Sequence, residues 1–177
     1  MPENHNLETD TLKVNYAYWW ATSGPFMGMC GDQYSIALLG IVTDIKPPGK
    51  DSTGLYNSQI GIIEINDILT SRELEKTKYV GQKYFRSDCF YETEVKRGDK
   101  VIVFCYEYEG FHINPGKKSI LKFNEFDDPT VESIKKYIGN DQNPIVIKED
   151  LGLWKEKGLG NELIQIIDCW ETLDGEK

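Results

Sequence analysis

The sequence predicts a mainly β protein with added α structure: a five-stranded Greek-key barrel followed by C-terminal helices. Three observations predict it. Two long apolar stretches, SIALLGIVTDI and IGIIEINDIL, each contain an internal glycine, the device that lets a long strand coil around a small barrel. A third stretch, KVIVFCYEY, reads as buried on both faces in its first half and on one face in its second. After residue 128 the apolar period lengthens from two to between three and four, and helix punctuation surrounds it.

The elements follow in order. The chain has 177 residues, 40% hydrophobic and 12% aromatic, enough for one folded domain with a real core. Residues 1–12 form a polar tail. In VNYAYWWA, residues 14–21, Tyr16, Tyr18 and Trp20 alternate onto one face and Trp19 takes the other; the segment is either a buried strip or an exposed anchor for a partner. The first barrel strand covers residues 34–46, with Gly40 as its bulge or bend, and the loop PPGKDSTG ends it. The second covers 56–69 and contains Gly61, so that the two make a coiled hairpin. A charged stretch of undefined structure follows at 70–80, then strands at 81–88, 99–110 and 118–123.

In DDPTVESIKKYIG, Asp128 suits an N-cap and Pro129 the first helical position. Val131, Ile134, Tyr137 and Ile138 form the apolar stripe, and Gly139 suits the position after the helix. A short strand is expected at 144–148, and a last helix at 162–173 with Leu163, Ile166, Ile167, Trp170 and Leu173 on one face and Asn161 as cap. The expected organisation is an N-terminal extension at 1–29, a barrel with its helix at 30–139, and a helical addition at 140–177.

Five strands, two of them long and bent, plus a helix fit the OB-fold; an immunoglobulin-like sandwich needs about seven short strands. The order ALLGIVTDI, IGIIEINDIL, a charged linker, Cys89 and RGDKVIVFCY resembles the netrin-like module of tissue inhibitors of metalloproteinases, over roughly residues 30–138. That resemblance implies a protein-binding barrel. It does not extend to inhibition of a metalloproteinase, because those inhibitors chelate the catalytic zinc through an N-terminal Cys-x-Cys. Here Cys30 follows Met29 and a long extension. The resemblance also implies that Cys30, before the first strand, lies against Cys89, after the third, as a disulfide or a close thiol pair. Cys105 in a strand and Cys169 on a helix are expected to be free and buried.

The charge of −9 is concentrated at the C-terminal end, where residues 101–177 carry 9 basic and 15 acidic side chains. An acidic chain repels a phosphate backbone, so nucleic acid is an unfavoured partner and a basic protein a suitable one. Catalysis finds no constellation. His5 lies in the tail and His112 in GFHINPG, where it is expected on the surface, and neither stands in a nucleophile motif. The four cysteines lack CxxC spacing, and no glycine-rich phosphate loop occurs, so no metal, cofactor or enzymatic activity is expected. Asp127 and Asp128 in FDDP are explained by helix capping, and the RGD at Arg97–Asp99 by a polar turn. No stretch approaches the ~20 apolar residues of a membrane span, and no apolar leader opens the sequence. A cytoplasmic location follows as the expectation, or a secreted one if a leader has been removed.

The sequence therefore points to a non-enzymatic protein-binding module. Its most concrete form is an acidic cytosolic inhibitor or immunity-type protein that neutralises a basic protein partner. Glu107, Glu109, Glu125, Asp127 and Asp128 would supply charge, and Trp19, Trp20 and Tyr108 the buried anchors. The alternative is an OB-fold binder of single-stranded nucleic acid, using Tyr79, Tyr84, Phe85 and Tyr91 among nearby lysines and arginines. Acidic residues interleave that patch and cancel most of its field.

Overall fold

The computed structural model describes residues 10–16, 23–50 and 53–175. Trp19, Trp20 and His5 lie outside them. The strands are β1 (Thr11–Tyr16), β2 (Ile36–Ile45), β3 (Gly49–Lys50), β4 (Asn57–Ser58), β5 (Gly61–Ser71), β6 (Tyr84–Ser87), β7 (Lys100–Tyr108), β8 (Phe111–Asn114) and β9 (Ile120–Phe123). Three α-helices follow: α1 (Pro129–Gly139), α2 (Leu151–Glu156) and α3 (Gly160–Gly175).

Six strands close a barrel in the order β2-β5-β6-β1-β8-β7, and β7 returns to β2. This corrects the expected five. The two strands the sequence pattern does not predict are β1, which straddles the polar tail and the aromatic segment, and β8, which falls in an expected loop. The 118–123 strand does form, shortened to β9, but it lies beside β7 at the end of the sheet and outside the closed ring. β7 makes this possible because its second edge is shared, with β9 along Lys100–Val103 and with β8 along Tyr106–Tyr108. β1 is parallel to both its neighbours, β6 and β8, whereas the other barrel pairs are antiparallel.

The glycines in the long strands have steric causes. A Cβ on Gly40 would stand 2.4 Å from Ile63 Cγ2 and 2.5 Å from the Glu64 carbonyl oxygen. β2 also shifts register against β5 beside Gly40, so the predicted bulge is present. A Cβ on Gly61 would meet the Phe90 ring at 2.5 Å, where that ring lies against the start of β5.

Strand alternation divides the buried side chains into two cores. Ile36, Leu38, Ile63, Phe85, Val101, Val103 and Cys105 fill the barrel interior. Ala37, Leu39, Ile102, Phe104 and Tyr106, on the other face of β2 and β7, pack against Val131, Ile134, Tyr137, Trp154, Leu163 and Ile166 of the helices. Both faces of β7 are thus buried along its first half, as its sequence predicts. Residues 23–33 are wedged into the second core. Phe26 packs edge-on to Trp154, with centroids 4.8 Å apart, and Tyr34 and Tyr106 donate hydroxyl hydrogen bonds to the carbonyls of Pro25 and Gly24 at 2.7 and 2.8 Å.

The helical layer keeps most of its predicted punctuation. The Thr130 amide donates to Asp128 Oδ1 at 2.9 Å, and Pro129 opens α1. Gly139 remains helical and Asn140 is the cap; the chain then turns through Asp141 and Gln142, both with φ of 55°. Residues 144–150 form a 3-10 helix where a strand was expected at 144–148. Asn143 caps it by accepting from the Ile145 amide at 2.9 Å, and Pro144 has no N–H to offer a sheet. α3 starts before the expected cap Asn161, and Leu173, expected on its apolar stripe, is exposed.

Cys30 and Cys169 form a disulfide with Cα atoms 5.2 Å apart, and Cys89 is free. The Cys30–Cys89 pairing implied by the netrin-like resemblance is corrected. Cys89 belongs to the barrel interior, whereas Cys30 sits on the 23–33 segment against α3, where Trp170 Nε1 also donates to the Cys30 carbonyl at 2.7 Å. Cys169 is therefore not free; Cys105 is free and buried, as expected.

Candidate functional site

β7 and β8 are joined by two residues, Glu109 (φ 51°) and Gly110 (φ 86°). Positive φ at both central positions is the geometry of a primed hairpin turn, whose twist matches that of the strands it connects. Tyr108 and Phe111 are paired across the last rung, 40% and 42% exposed. Two aromatic rings on neighbouring strands therefore stand together at the tip of a short ribbon. Lys76 docks the tip from outside: its amide donates to the Gly110 carbonyl at 2.9 Å, and its ammonium lies 5.2 Å from the Phe111 ring centroid.

The base of the ribbon is fixed from within. His112, paired with Glu107 across the strands, is 1% exposed, so the expected surface histidine is a buried one. Its Nδ1 lies 2.7 Å from Ser35 Oγ. Burial, assisted by the Arg72 charge, lowers its pKa to about 4, which keeps the ring neutral near pH 7. A serine beside a histidine can suggest nucleophilic chemistry, but both side chains are sealed in the wall, where the pair acts as an internal hydrogen bond. Arg72 ties the outside, its guanidinium 3.6 Å from the Glu107 carboxylate and its amide donating to the Ser35 carbonyl at 2.8 Å.

A second buried polar cluster crosses the barrel wall behind the hairpin. Asn114 donates to the Phe104 carbonyl at 2.8 Å and to Ser119 Oγ at 2.7 Å, and accepts from Ser87 Oγ at 3.0 Å. The Cys89 thiol donates to the Gly116 carbonyl at 2.7 Å. Burial raises the pKa of both Cys89 and Cys105, so neither is a ready thiolate.

The acidic residues singled out in the sequence do not gather on one face. Glu107, Tyr108 and Glu109 lie at the hairpin end of β7. Glu125 lies by its opposite end, 3.1 Å from Lys100 Nζ, and Asp128 is occupied as the α1 cap, with the exposed Asp127 beside it. From Lys100 to Tyr108 the strand extends about 26 Å at roughly 3.3 Å per residue, so these are two regions. The sequence pattern does not single out Phe111; the signal that bears on it is Gly110 between the alternating stretches YEY and FHIN, a glycine at the turn position that needs positive φ. The aromatic patch considered for nucleic acid loses Phe85 to the barrel interior, while Tyr84 is half-buried beneath Lys83. The RGD residues form a turn in which the Lys96 amide donates to the Asp99 carboxylate at 2.8 Å.

Among the described residues no group of three His, Cys, Asp or Glu side chains is placed to hold a metal ion, and no helix is long and apolar enough to cross a membrane. The chain matches no protein-family model, and no curated protein matches its sequence.

Proposed function

We propose that the protein is a non-enzymatic binding module on an OB-like barrel, and that the β7–β8 hairpin is its contact edge for a basic protein. The observation behind this reading is the Tyr108–Phe111 pair, two large aromatic rings left partly in water on a ribbon that is fixed on both sides. Rigid aromatics lose little side-chain freedom on binding and supply most of the apolar area at interface hot spots. Glu107, Glu109 and Glu75 stand around the tip, and with the chain's excess of −9 they would speed encounter with a cationic surface. An inhibitor or immunity role is the most concrete form of this activity. The Cys30–Cys169 bond supports a compartment where thiols oxidise, and so favours the secreted location over the cytoplasmic one.

A photo-crosslinking residue at position 111, with position 55, which is more exposed still, as the control, tests the reading. A discrete adduct with a basic protein is expected from 111 and not from 55. With that partner purified, Tyr108→Ala combined with Glu109→Lys should weaken binding by about tenfold or more. An adduct with nucleic acid, or unchanged affinity in the double variant, rejects the proposal.

A further inference from the structure

The exposed edge of β9 offers a different kind of site. β9 ends the sheet, with β7 on one side and no strand of the described residues on the other. In an antiparallel strand alternate residues turn their N–H and C=O groups away from the neighbour, so β9 offers unpaired backbone groups along about 13 Å. The strand lines a groove of about 550 Å³ together with residues 92–95 and Lys157. A strand added at this edge would run about 4.8 Å from β9, inside that groove.

The charges beside the strand narrow the occupant. Lys122 is exposed within β9, and Lys118 is exposed two residues before it. Lys122 lies 3.6 Å from Asp99, whereas Lys118 and Lys157 have no carboxylate within 4 Å among the described residues. Glu92 and Glu94 also line the groove. The residue of an added strand directly across from Lys122 would lie about 4.5–5.5 Å from it between Cβ atoms, which puts a carboxylate there within reach of the ammonium. A second copy of β9 at this edge would crowd lysine against lysine, which disfavours self-pairing.

We propose that this edge binds an extended acidic peptide that adds one strand to the sheet, with a carboxylate opposite Lys122. Backbone hydrogen bonds would hold the peptide, and the lysines would select its charge. The site is separate from the hairpin, since β9 pairs with the opposite half of β7.

The probe is the acetylated, amidated peptide Glu-Val-Glu-Val-Glu, titrated into the full chain labelled with nitrogen-15. Saturable amide shifts are expected at residues 120–123 and 92–95, with little effect at 108–111. N-methylation of alternate peptide nitrogens should weaken binding by about tenfold or more, as should Lys122→Glu or Lys118→Glu, both exposed positions whose substitution leaves the core intact. The proposal is overturned by the absence of shifts at millimolar peptide, by equal binding of the N-methylated peptide or of a lysine-valine analogue, or by shifts that follow dimerisation of the protein.

Discussion

His112 Nδ1 lies 2.7 Å from Ser35 Oγ inside the barrel wall, which joins the β7–β8 hairpin to the approach of β2. The imidazole is held neutral there, and this gives the fold a specific response to acid. Its pKa falls from 6.5 in the unfolded chain to about 4 in the folded one. Between those values the unfolded state binds the extra proton, so stability is full above pH 6.5 and declines as the pH falls towards 4, by as much as about 3 kcal/mol. Urea midpoints at pH 7 and pH 5 should differ, and His112→Asn should reduce that difference. An unchanged pH dependence in the variant would remove the histidine as its cause.

The disulfide predicts a second response. Cys30 and Cys169 are 139 positions apart, so the bond restricts a long stretch of the unfolded chain. Replacing both with serine should cost about 2–4 kcal/mol, measured by denaturant unfolding, and reductant should destabilise the parent protein but not the variant. Peptide mapping of the unreduced protein should recover Cys30 linked to Cys169; recovery of Cys30 linked to Cys89 would contradict the fold.

Gly40 is expected to tolerate no side chain. In Gly40→Ala the new methyl would collide with Ile63 and with the Glu64 backbone, and the backbone cannot give way without disturbing the β2–β5 ladder. A loss of about 1–3 kcal/mol is expected from thermal or urea unfolding. A neutral substitution would show that β2 and β5 are further apart than described.

Trp154 should be the most costly of the helical-layer positions to truncate. It is fully buried, packs edge-on to Phe26, and donates from Nε1 to Ser133 Oγ at 2.9 Å. Trp154→Ala should lose about 3–5 kcal/mol, and Trp154→Phe less, since it keeps most of the packing and loses the hydrogen bond. Equal losses for the two would assign the effect to the hydrogen bond alone.

The legible parts of the fold were those whose burial pattern is local. The alternation in KVIVFCYEY reads directly as two buried faces, because β7 carries a core on each side. Asp128 and Pro129 mark the start of α1 by cap chemistry that needs no tertiary partner. β1 escaped notice because its six residues, TLKVNY, are half polar and gain their ladder from β6 and β8, some 70 to 100 positions away. At residues 144–148 the β-branched run PIVIK imitated a strand, while the deciding feature was the Asn143 side chain on the Ile145 amide. Tyr108 and its acidic neighbours were visible as an alternating ribbon end. Phe111 became apparent only once the hairpin set it beside Tyr108.

The link between Cys30 and Cys169 also bears on how the protein meets proteases. It closes a covalent ring that contains β2 to β9, α1, α2 and the first part of α3, leaving residues 1–29, with β1, and 170–177 outside. A single backbone cut anywhere within that ring leaves both fragments joined, so a nicked molecule keeps its pieces together until a thiol reductant separates them.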